Sequence, residues 1–246
     1  MQPRQVVQAI EQNASLPSGN GDRLIGYSVI GLPFRSEHVL ALRKFPASSV
    51  GPGYTSVWHR NPSGEWTFYS TVPPDQGCAK YFGREVHRNV VTPIEIRWSS
   101  PVQFSVTAGN ALRWDVSLKE SLLSRLLNTV ASQIPEAWWQ KRSMLRVMGI
   151  TSQFLLGTGK MNLVGRTPNG QEFTAIPQRM WLIDSSQAMV KGQDIGPVGA
   201  LTHQAALRDF LIPQRGIFAV GRTFMGVPRN GTAEGHAWDS PTVNLD

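Results

Sequence analysis

The clearest pattern in the sequence is an alternation of apolar and polar positions between residues 24 and 118. The segments IEIRW (94–98) and LRWDVSL (112–118) place an apolar side chain at every second position. An NPSG turn (61–64) joins GYTSVWHR to WTFYSTV and predicts a β-hairpin. Because a period of two puts successive side chains on opposite faces, the pattern predicts a sheet with one apolar and one polar face.

The pattern changes to helical spacing near residue 120. A capping-box motif, Ser117-x-x-Glu120, precedes apolar residues spaced three and four positions apart, and Pro135 separates this helix from a second one. We therefore predict a two-helix insertion over 120–157. Strand-like segments resume at MNLVGRT (161–167) and continue to about residue 225.

Two blocks of strands around one helical pair predict the fold class and the domain organisation. We expect a mainly β (α+β) protein, an antiparallel β-barrel with the helical insertion, rather than a doubly wound α/β fold. Residues 1–22 form an N-terminal arm in this prediction, because a short helical pattern leads into PSGNGD. Residues 23–225 form a single barrel domain, and the Gly-, Pro- and Asn-rich residues 226–246 form a disordered tail.

The distribution of charge constrains the partners. Lys and Arg total 24 against 17 Asp and Glu, which gives a net charge of +7 and a pI near 10.0. Residues 121–160 hold 5 basic residues and 1 acidic residue, so more than half of the excess lies beside or within the helical pair. A nucleic-acid groove needs basic residues interleaved with aromatic ones along a surface, and no such module is recognisable. We expect no nucleic-acid partner.

Cysteine, histidine and hydropathy patterns narrow the class further. The single cysteine, Cys78, excludes an internal disulfide and a cysteine-based metal cluster, which favours a reducing, cytoplasmic location. The histidines show no metal-ligand spacing, so we expect no metal and no cofactor. The start of the chain lacks the apolar core of a signal peptide, and no stretch has the roughly 18 apolar residues of a membrane-spanning helix.

Aromatic residues on the predicted strands are the first candidates for a ligand site. Trp58, Tyr69 and Trp114 each occupy a strand, and in a closed sheet inward rings line a cavity suited to an apolar ligand. The other interpretation is that these rings fill the hydrophobic core. Spacing alone leaves both interpretations open.

A cluster of cations is the second candidate. The segment DQGCAKYFGREVHR places Lys80, Arg84 and Arg88 four residues apart, on one face if the segment is helical. Such a face is usually solvated. A lysine beside another cation loses proton affinity, however, and then acts as a Schiff-base nucleophile.

Four stretches of the chain resemble the acetoacetate decarboxylase-like superfamily, whose members are antiparallel barrel proteins of similar length. SSVGPGYTSVWHR resembles the strand that carries a Gly-Tyr pair into the family's pocket, and WTFYSTV with AKYFGREVH resembles its strand–helix unit. IPQRMWLIDSSQAMVKGQDIGPV resembles the segment from a Pro-x-Arg strand to Asp-Leu-Pro-Val, and RDFLIPQRGIFAVG resembles the closing strand. The four stretches follow the family's order and approximate spacing.

The resemblance implies a reaction class and a site. The chain would be a lyase that binds a small carbonyl or carboxylate compound in an apolar pocket. Lys80 would form an imine, Arg84 would depress its proton affinity, and Tyr69 or Tyr81 would donate to the developing oxyanion. The predicted ligand contacts are Tyr54, Trp58, Tyr69, Tyr81 and Trp114.

The sequence departs from the family where catalysis is concerned. The family's decarboxylases carry an adjacent lysine pair at the end of the helix, and this chain has no Lys-Lys. Ser56 stands where the family has an acidic residue. Lys80 with Arg84 is the substitute pair in this hypothesis, and Glu65 or Glu85 is the substitute acid. Whether the chain is an enzyme is therefore left open.

Two further hypotheses use other segments. The strand pair RWSSPVQFSV and ALRWDVSL also resembles lipocalin-like proteins of the carotenoid hydratase type, which implies a non-catalytic carrier of an apolar ligand. The helical pair 120–157 could lie on an anionic membrane surface. We favour a lid or a homo-oligomer interface for this pair, because amphipathic helices mostly bury their apolar face against protein.

Overall fold

The computed structural model describes residues 2–119, 128–129, 145, 157–226 and 242–244. Its helices are α1 (Pro3–Gln12) and α2 (Ala79–Phe82), and α2 lies between two 3-10 turns, Pro74–Gln76 and Gly83–Glu85. The strands before residue 120 are β1 (Asp22–Pro33), β2 (Val39–Ser48), β3 (Tyr54–Arg60), β4 (Trp66–Ser70), β5 (Arg88–Val91), β6 (Ile94–Trp98), β7 (Gln103–Ala108) and β8 (Leu112–Lys119). The later strands are β9 (Val164–Arg166), β10 (Glu172–Val190), β11 (Gln193–Asp194), β12 (Ala206–Leu207), β13 (Phe210–Leu211), β14 (Ile217–Met225) and β15 (Thr242–Asn244).

Most of the described strands belong to one sheet of 13 strands. Its order is β15–β5–β4–β3–β2–β1–β14–β10–β8–β7–β6, with β9 and β11 both paired to β10, while β12 pairs with β13 alone. Neighbours are antiparallel except at β5, which is parallel to β4 and to β15. The prediction of a mainly β, antiparallel architecture is confirmed. Pairing among the described strands follows an open path from β15 to β6, and closure into a barrel stays a prediction.

The region around β3 and β4 shows how local sequence positions the helix α2. The predicted hairpin is present: Gly64 has a φ of 90°, a region that favours glycine, and Asn61 Oδ1 accepts a hydrogen bond from the Glu65 N–H. Because β4 and β5 are parallel, the chain must cross over between them rather than turn. Residues 71–87 make this crossover and carry α2 against one face of the sheet.

Both faces of the central strands are buried. Phe68 and Tyr69 are neighbours on β4, yet they belong to two different apolar clusters. Helix α1 contributes Val6 and Val7 to the Tyr69 cluster, whereas α2 contributes Phe82 to the Phe68 cluster. The prediction of one polar face is confirmed for β7 and β8, where alternate residues are at least partly exposed. It is wrong for β3 and β4, because residues of both faces are buried there, those of one face in the Tyr69 cluster and those of the other in the Phe68 cluster.

Several predictions fall wholly or partly on residues outside the described ranges. Most of the helical insertion at 120–157 lies there, as does most of the tail at 226–246, of which residues 242–244 form β15. The boundary of the arm at 1–22 and the single-domain organisation stay predictions. Within the described residues, no helix combines the length and the apolar character needed to cross a bilayer.

Candidate functional site

A cavity of about 90 Å³ lies between the sheet and α2. Strands β1, β2, β10 and β14 line it on the sheet side, and Tyr81 and Phe82 of α2 line it together with residues 161–163. No Asp or Glu is found in the lining that the described residues form, whereas Arg43 and Arg222 are both part of it. The cavity is therefore apolar with a cationic character.

Two irregularities in the pairing of β1 with β2 shape the cavity wall. The register shifts between Ile25 and Tyr27, and again between Val29 and Leu32. A side chain at Gly26, within the first shift, would collide with the backbone of β2, so the close approach of the two strands requires glycine. The second shift releases backbone carbonyl groups from the regular ladder, and these groups bind a buried side chain.

Arg43, on β2, supplies that side chain. Its Nη1 donates to the carbonyl oxygens of Val29 at 2.5 Å and Leu42 at 2.8 Å, and its Nη2 donates to that of Ile30 at 3.0 Å. The guanidinium also lies over the ring of Trp58, 4.5 Å from the ring centroid. Since Arg43 is only 6% exposed, these contacts fix its cation at the wall of the cavity.

The charge of Arg43 has no carboxylate counter-ion among the described residues. Burial lowers the pKa of the guanidinium from its ordinary value to about 10, and the groups that oppose this shift are Cys78 and Tyr54. The group is still charged at neutral pH. Within the described part of the chain, no hydrogen bond uses its Nε–H, and Nη2 makes one. These neighbouring donors form the edge of an arginine that binds a carboxylate through two parallel hydrogen bonds.

Trp58 and Tyr81, both predicted as ligand contacts, line the cavity. The Tyr81 hydroxyl donates to Asp22 Oδ2 at 2.9 Å, and Trp58 Nε1 donates to Ser56 Oγ at 3.1 Å. Burial, with the Asp22 carboxylate, raises the pKa of Tyr81 far above its ordinary value, so the hydroxyl stays protonated. Because Asp22 and Ser56 lie outside the lining, the two residues offer the cavity ring surface rather than polar atoms.

Lys80 and Arg84, the predicted catalytic pair, lie beside the cavity but not in its lining. Lys80 Nζ is 2.9 Å from Asp22 Oδ2, and its side chain is 35% exposed. Arg84 is exposed on the 3-10 turn that follows α2. The predicted helical stripe through Lys80, Arg84 and Arg88 is wrong, because α2 ends at Phe82 and Arg88 already belongs to β5. The catalytic roles of the pair stay predictions.

The other predicted contacts also lie outside the lining. Tyr54 is buried next to it, with its hydroxyl 3.3 Å from Sγ of Cys78, a lining residue. Tyr69 and Trp114 belong to the cluster on the other face of the sheet, and Trp114 Nε1 donates to Ser186 Oγ at 2.7 Å. Tyr69 and Trp114 therefore have the placement that the core-packing interpretation describes.

Sequence reasoning misses Arg43, the buried arginine of the cavity lining. A signal is present in VLALRKF (39–45), where Arg43 shares its strand face with Val39, Ala41 and Phe45. All three neighbours on that face are buried. A charged residue in the inward set of a strand requires either an ion partner or a function.

The described residues contain no group of three or more His, Cys, Asp or Glu side chains placed to hold a metal ion.

Comparison with known proteins gives matches among solved structures, two of which are described here. No family model and no curated protein matches the chain. An acetoacetate decarboxylase from Legionella pneumophila matches with 10% identity over 89% of this chain and 93% of that chain, with a TM-score of 0.36. A second acetoacetate decarboxylase structure matches with 10% identity over 85% of this chain and 88% of that chain, with a TM-score of 0.39.

Proposed function

We propose that the cavity binds a small carboxylate compound, with Arg43 as the counter-ion of the carboxylate. The observation that carries this proposal is a buried guanidinium that lines a cavity and has no carboxylate partner in the described chain. Burying an unpaired cation costs several kcal/mol, and an anionic ligand offsets that cost when it binds. The alternative, a carrier of an uncharged apolar ligand, leaves Arg43 without a counter-ion.

The volume of the cavity limits the size of the ligand. A water molecule needs roughly 10–15 Å³ by the same measure. About 90 Å³ therefore accommodates about six to nine non-hydrogen atoms. Small keto acids fall within this range, whereas a carotenoid-sized ligand would have to extend far outside the cavity.

Calorimetric titration with pyruvate and its methyl ester tests the proposal. The two compounds share a keto group and differ in charge, so we expect the ester to bind at least about tenfold more weakly. Arg43→Met should abolish the difference between acid and ester, and Arg43→Lys should restore part of it, because lysine keeps the charge but loses the paired donors. Arg97→Met, which removes an exposed arginine, is the matched control and should bind as the wild type does.

The acid–ester comparison on the wild-type protein does not depend on whether the Arg43 variants fold. Equal affinity of the acid and the ester for the wild-type protein would refute the proposal. An acid preference that survives in a folded Arg43→Met variant would place the anion site elsewhere.

The catalytic version of the proposal adds Schiff-base chemistry at Lys80. The Lys80 ammonium lies 5.6 Å from the ring centroid of Tyr81, and that ring lines the cavity. In this version Nζ gives up a proton and attacks the ligand's carbonyl carbon, and the carbonyl oxygen leaves as water to form the imine. The bond from Lys80 to Asp22 must open first, because it holds Nζ outside the lining.

Trapping with borohydride separates binding from catalysis. Hydride reduces an imine to a stable secondary amine, so acetoacetate with borohydride should add mass at Lys80 in the wild type and not in Lys80→Arg. Lys119→Arg is the matched control, since Lys119 is an exposed lysine that also pairs with a carboxylate. Absence of any adduct on a wild-type protein that binds keto acids would end the imine version and leave the binding proposal intact.

A further inference from the structure

Aromatic rings dominate the part of the lining that faces Arg43. Trp58, Phe82 and Phe210 contact one another, with ring centroids 4.9 to 5.9 Å apart and interplanar angles from 56° to 74°. Phe173 adds to this cluster, 5.7 Å from Phe210. Tilted and edge-on contacts are the arrangements in which rings attract one another, so the cluster offers a ligand ring the same favourable geometry.

Several polar atoms of the lining side chains are bound away from the cavity. The Tyr27 hydroxyl donates to Glu11 Oε1 at 2.7 Å, and Asn162 Nδ2 donates to the Asp209 carbonyl oxygen at 2.9 Å. The Tyr81 hydroxyl is bound to a carboxylate, as described above. Since none of these acceptors lines the cavity, these three side chains offer it little hydrogen-bonding capacity, and a ligand with many hydroxyl or keto groups would lack these partners.

The anion site and the ring cluster are adjacent. The guanidinium carbon of Arg43 is 4.5 Å from the Trp58 ring centroid and 5.4 Å from that of Phe210. A ligand of the size that the cavity admits therefore reaches both at once only if its charged group is attached directly, or through a short link, to its apolar body.

We infer that the ligand is an aromatic monocarboxylate, a planar ring that carries one carboxylate. This inference rests on the proposed function and specifies the substrate class of the same site. The carboxylate binds the edge of Arg43 that carries Nε and Nη2, and the ring packs against Phe82, Phe173 and Phe210.

Three monocarboxylates, the dicarboxylate fumarate and one neutral compound test the ligand class by calorimetric titration. Benzoate and cyclohexanecarboxylate have the same charge and the same number of non-hydrogen atoms, but only benzoate has an aromatic ring. We expect benzoate to bind roughly three- to tenfold more tightly than cyclohexanecarboxylate. We also expect it to bind more tightly than pyruvate, and benzamide, its neutral counterpart, to bind at least about tenfold more weakly than benzoate.

A variant of the ring cluster tests the location. Phe210→Leu keeps an apolar side chain but removes a ring that is only partly buried, so the fold should tolerate it. We expect this variant to show a smaller preference for benzoate over cyclohexanecarboxylate than the wild type, because Phe82 and Phe173 still contact the ligand ring. Phe224→Leu is the matched control, because Phe224 is also partly buried but does not line the cavity, and it should keep the benzoate preference.

The outcomes distinguish this inference from the proposed function. If cyclohexanecarboxylate or pyruvate binds as tightly as benzoate while benzamide and the methyl ester bind weakly, the aromatic class is wrong and the carboxylate site stands. Fumarate carries two carboxylates. If it binds more tightly than benzoate, its second carboxylate would be assigned to Arg222, and the inference of a ligand with one carboxylate would be wrong. If no acid binds more tightly than its neutral counterpart, both proposals fail.

Discussion

Two histidines at the β2–β3 pairing should set the acid stability of the protein. His38 Nδ1 is 2.8 Å from His59 Nε2, and the rings are stacked with centroids 5.1 Å apart. In this bond one nitrogen donates and the other accepts. A neutral pair or a singly protonated pair can keep the bond, whereas a doubly protonated pair sets two donors against each other. Acid should therefore break the pair when the second proton binds.

The size of this loss of stability in acid follows from the environment of His59. Burial, aided by the charges of His38 and Lys191, lowers the pKa of His59 from 6.5 to about 4. Because the folded-state pKa lies below the unfolded value, the unfolded chain binds more protons as the pH falls. The contribution of neutral His59 to the free energy of unfolding is complete above about pH 6.5 and is lost as the pH falls toward 4. It amounts to about 3 kcal/mol, of which about 2 kcal/mol is lost by about pH 5.

Urea unfolding at about pH 7.5 and about pH 5 measures this loss. His59→Gln introduces a side-chain amide, which should bond to His38 but does not titrate. Its free energy of unfolding should fall by about 2 kcal/mol less than that of the wild type over the same interval. His203→Gln, which replaces an exposed histidine, should behave as the wild type does. Equal losses in the wild type and in His59→Gln would refute the assignment of acid sensitivity to this pair.

Three further predictions concern α2 and the residue before it. Tyr81→Phe removes a buried hydroxyl that donates to the Asp22 carboxylate and should lower the free energy of unfolding by about 1.5–3 kcal/mol. Lys80→Met removes a partly exposed ion pair with the same carboxylate and should cost less than about 1 kcal/mol in urea unfolding, so a larger loss for Lys80→Met would contradict the account. Cys78 is buried, and burial raises the pKa of its thiol, so a thiol reagent should label it only as the protein unfolds in urea; rapid labelling in native buffer would refute this.

The hairpin and the strand pattern were predictable because they depend on neighbours in the sequence. The NPSG turn at 61–64 determines its own conformation, and the alternation in β7 and β8 reports faces that differ in exposure. The alternation of side chains also places Trp58 and Tyr69 on opposite faces of the sheet, because Trp58 pairs with Phe68 and Tyr69 pairs with Val57. Alternation cannot say which face of the sheet borders a cavity, because that depends on α1 and α2, which pack on the sheet from elsewhere in the chain.

The site itself was less predictable for two physical reasons. A four-residue spacing indicates a cationic stripe only if the helix continues, and α2 ends at Phe82, before Gly83, so Lys80 and Arg84 lie on different elements. Arg43, in contrast, is stabilised by backbone carbonyl groups that a register shift exposes, and no side-chain pattern encodes that shift. The available signal was a charged residue among inward apolar positions. It identifies Arg43 as unusual, but it does not say which groups the guanidinium binds.

The β1–β2 pair departs from a regular hairpin in three ways, and each of them costs stability. Gly26 lacks a side chain to pack, the register shifts twice within a few residues, and Arg43 brings an unpaired cation into an apolar wall. A hairpin selected only for stability would use a regular ladder and an apolar residue at position 43. The three departures border the same cavity, and strained or destabilising features that cluster in this way are characteristic of functional sites. This clustering supports the proposed site at the cavity, and it does so independently of any resemblance to other proteins.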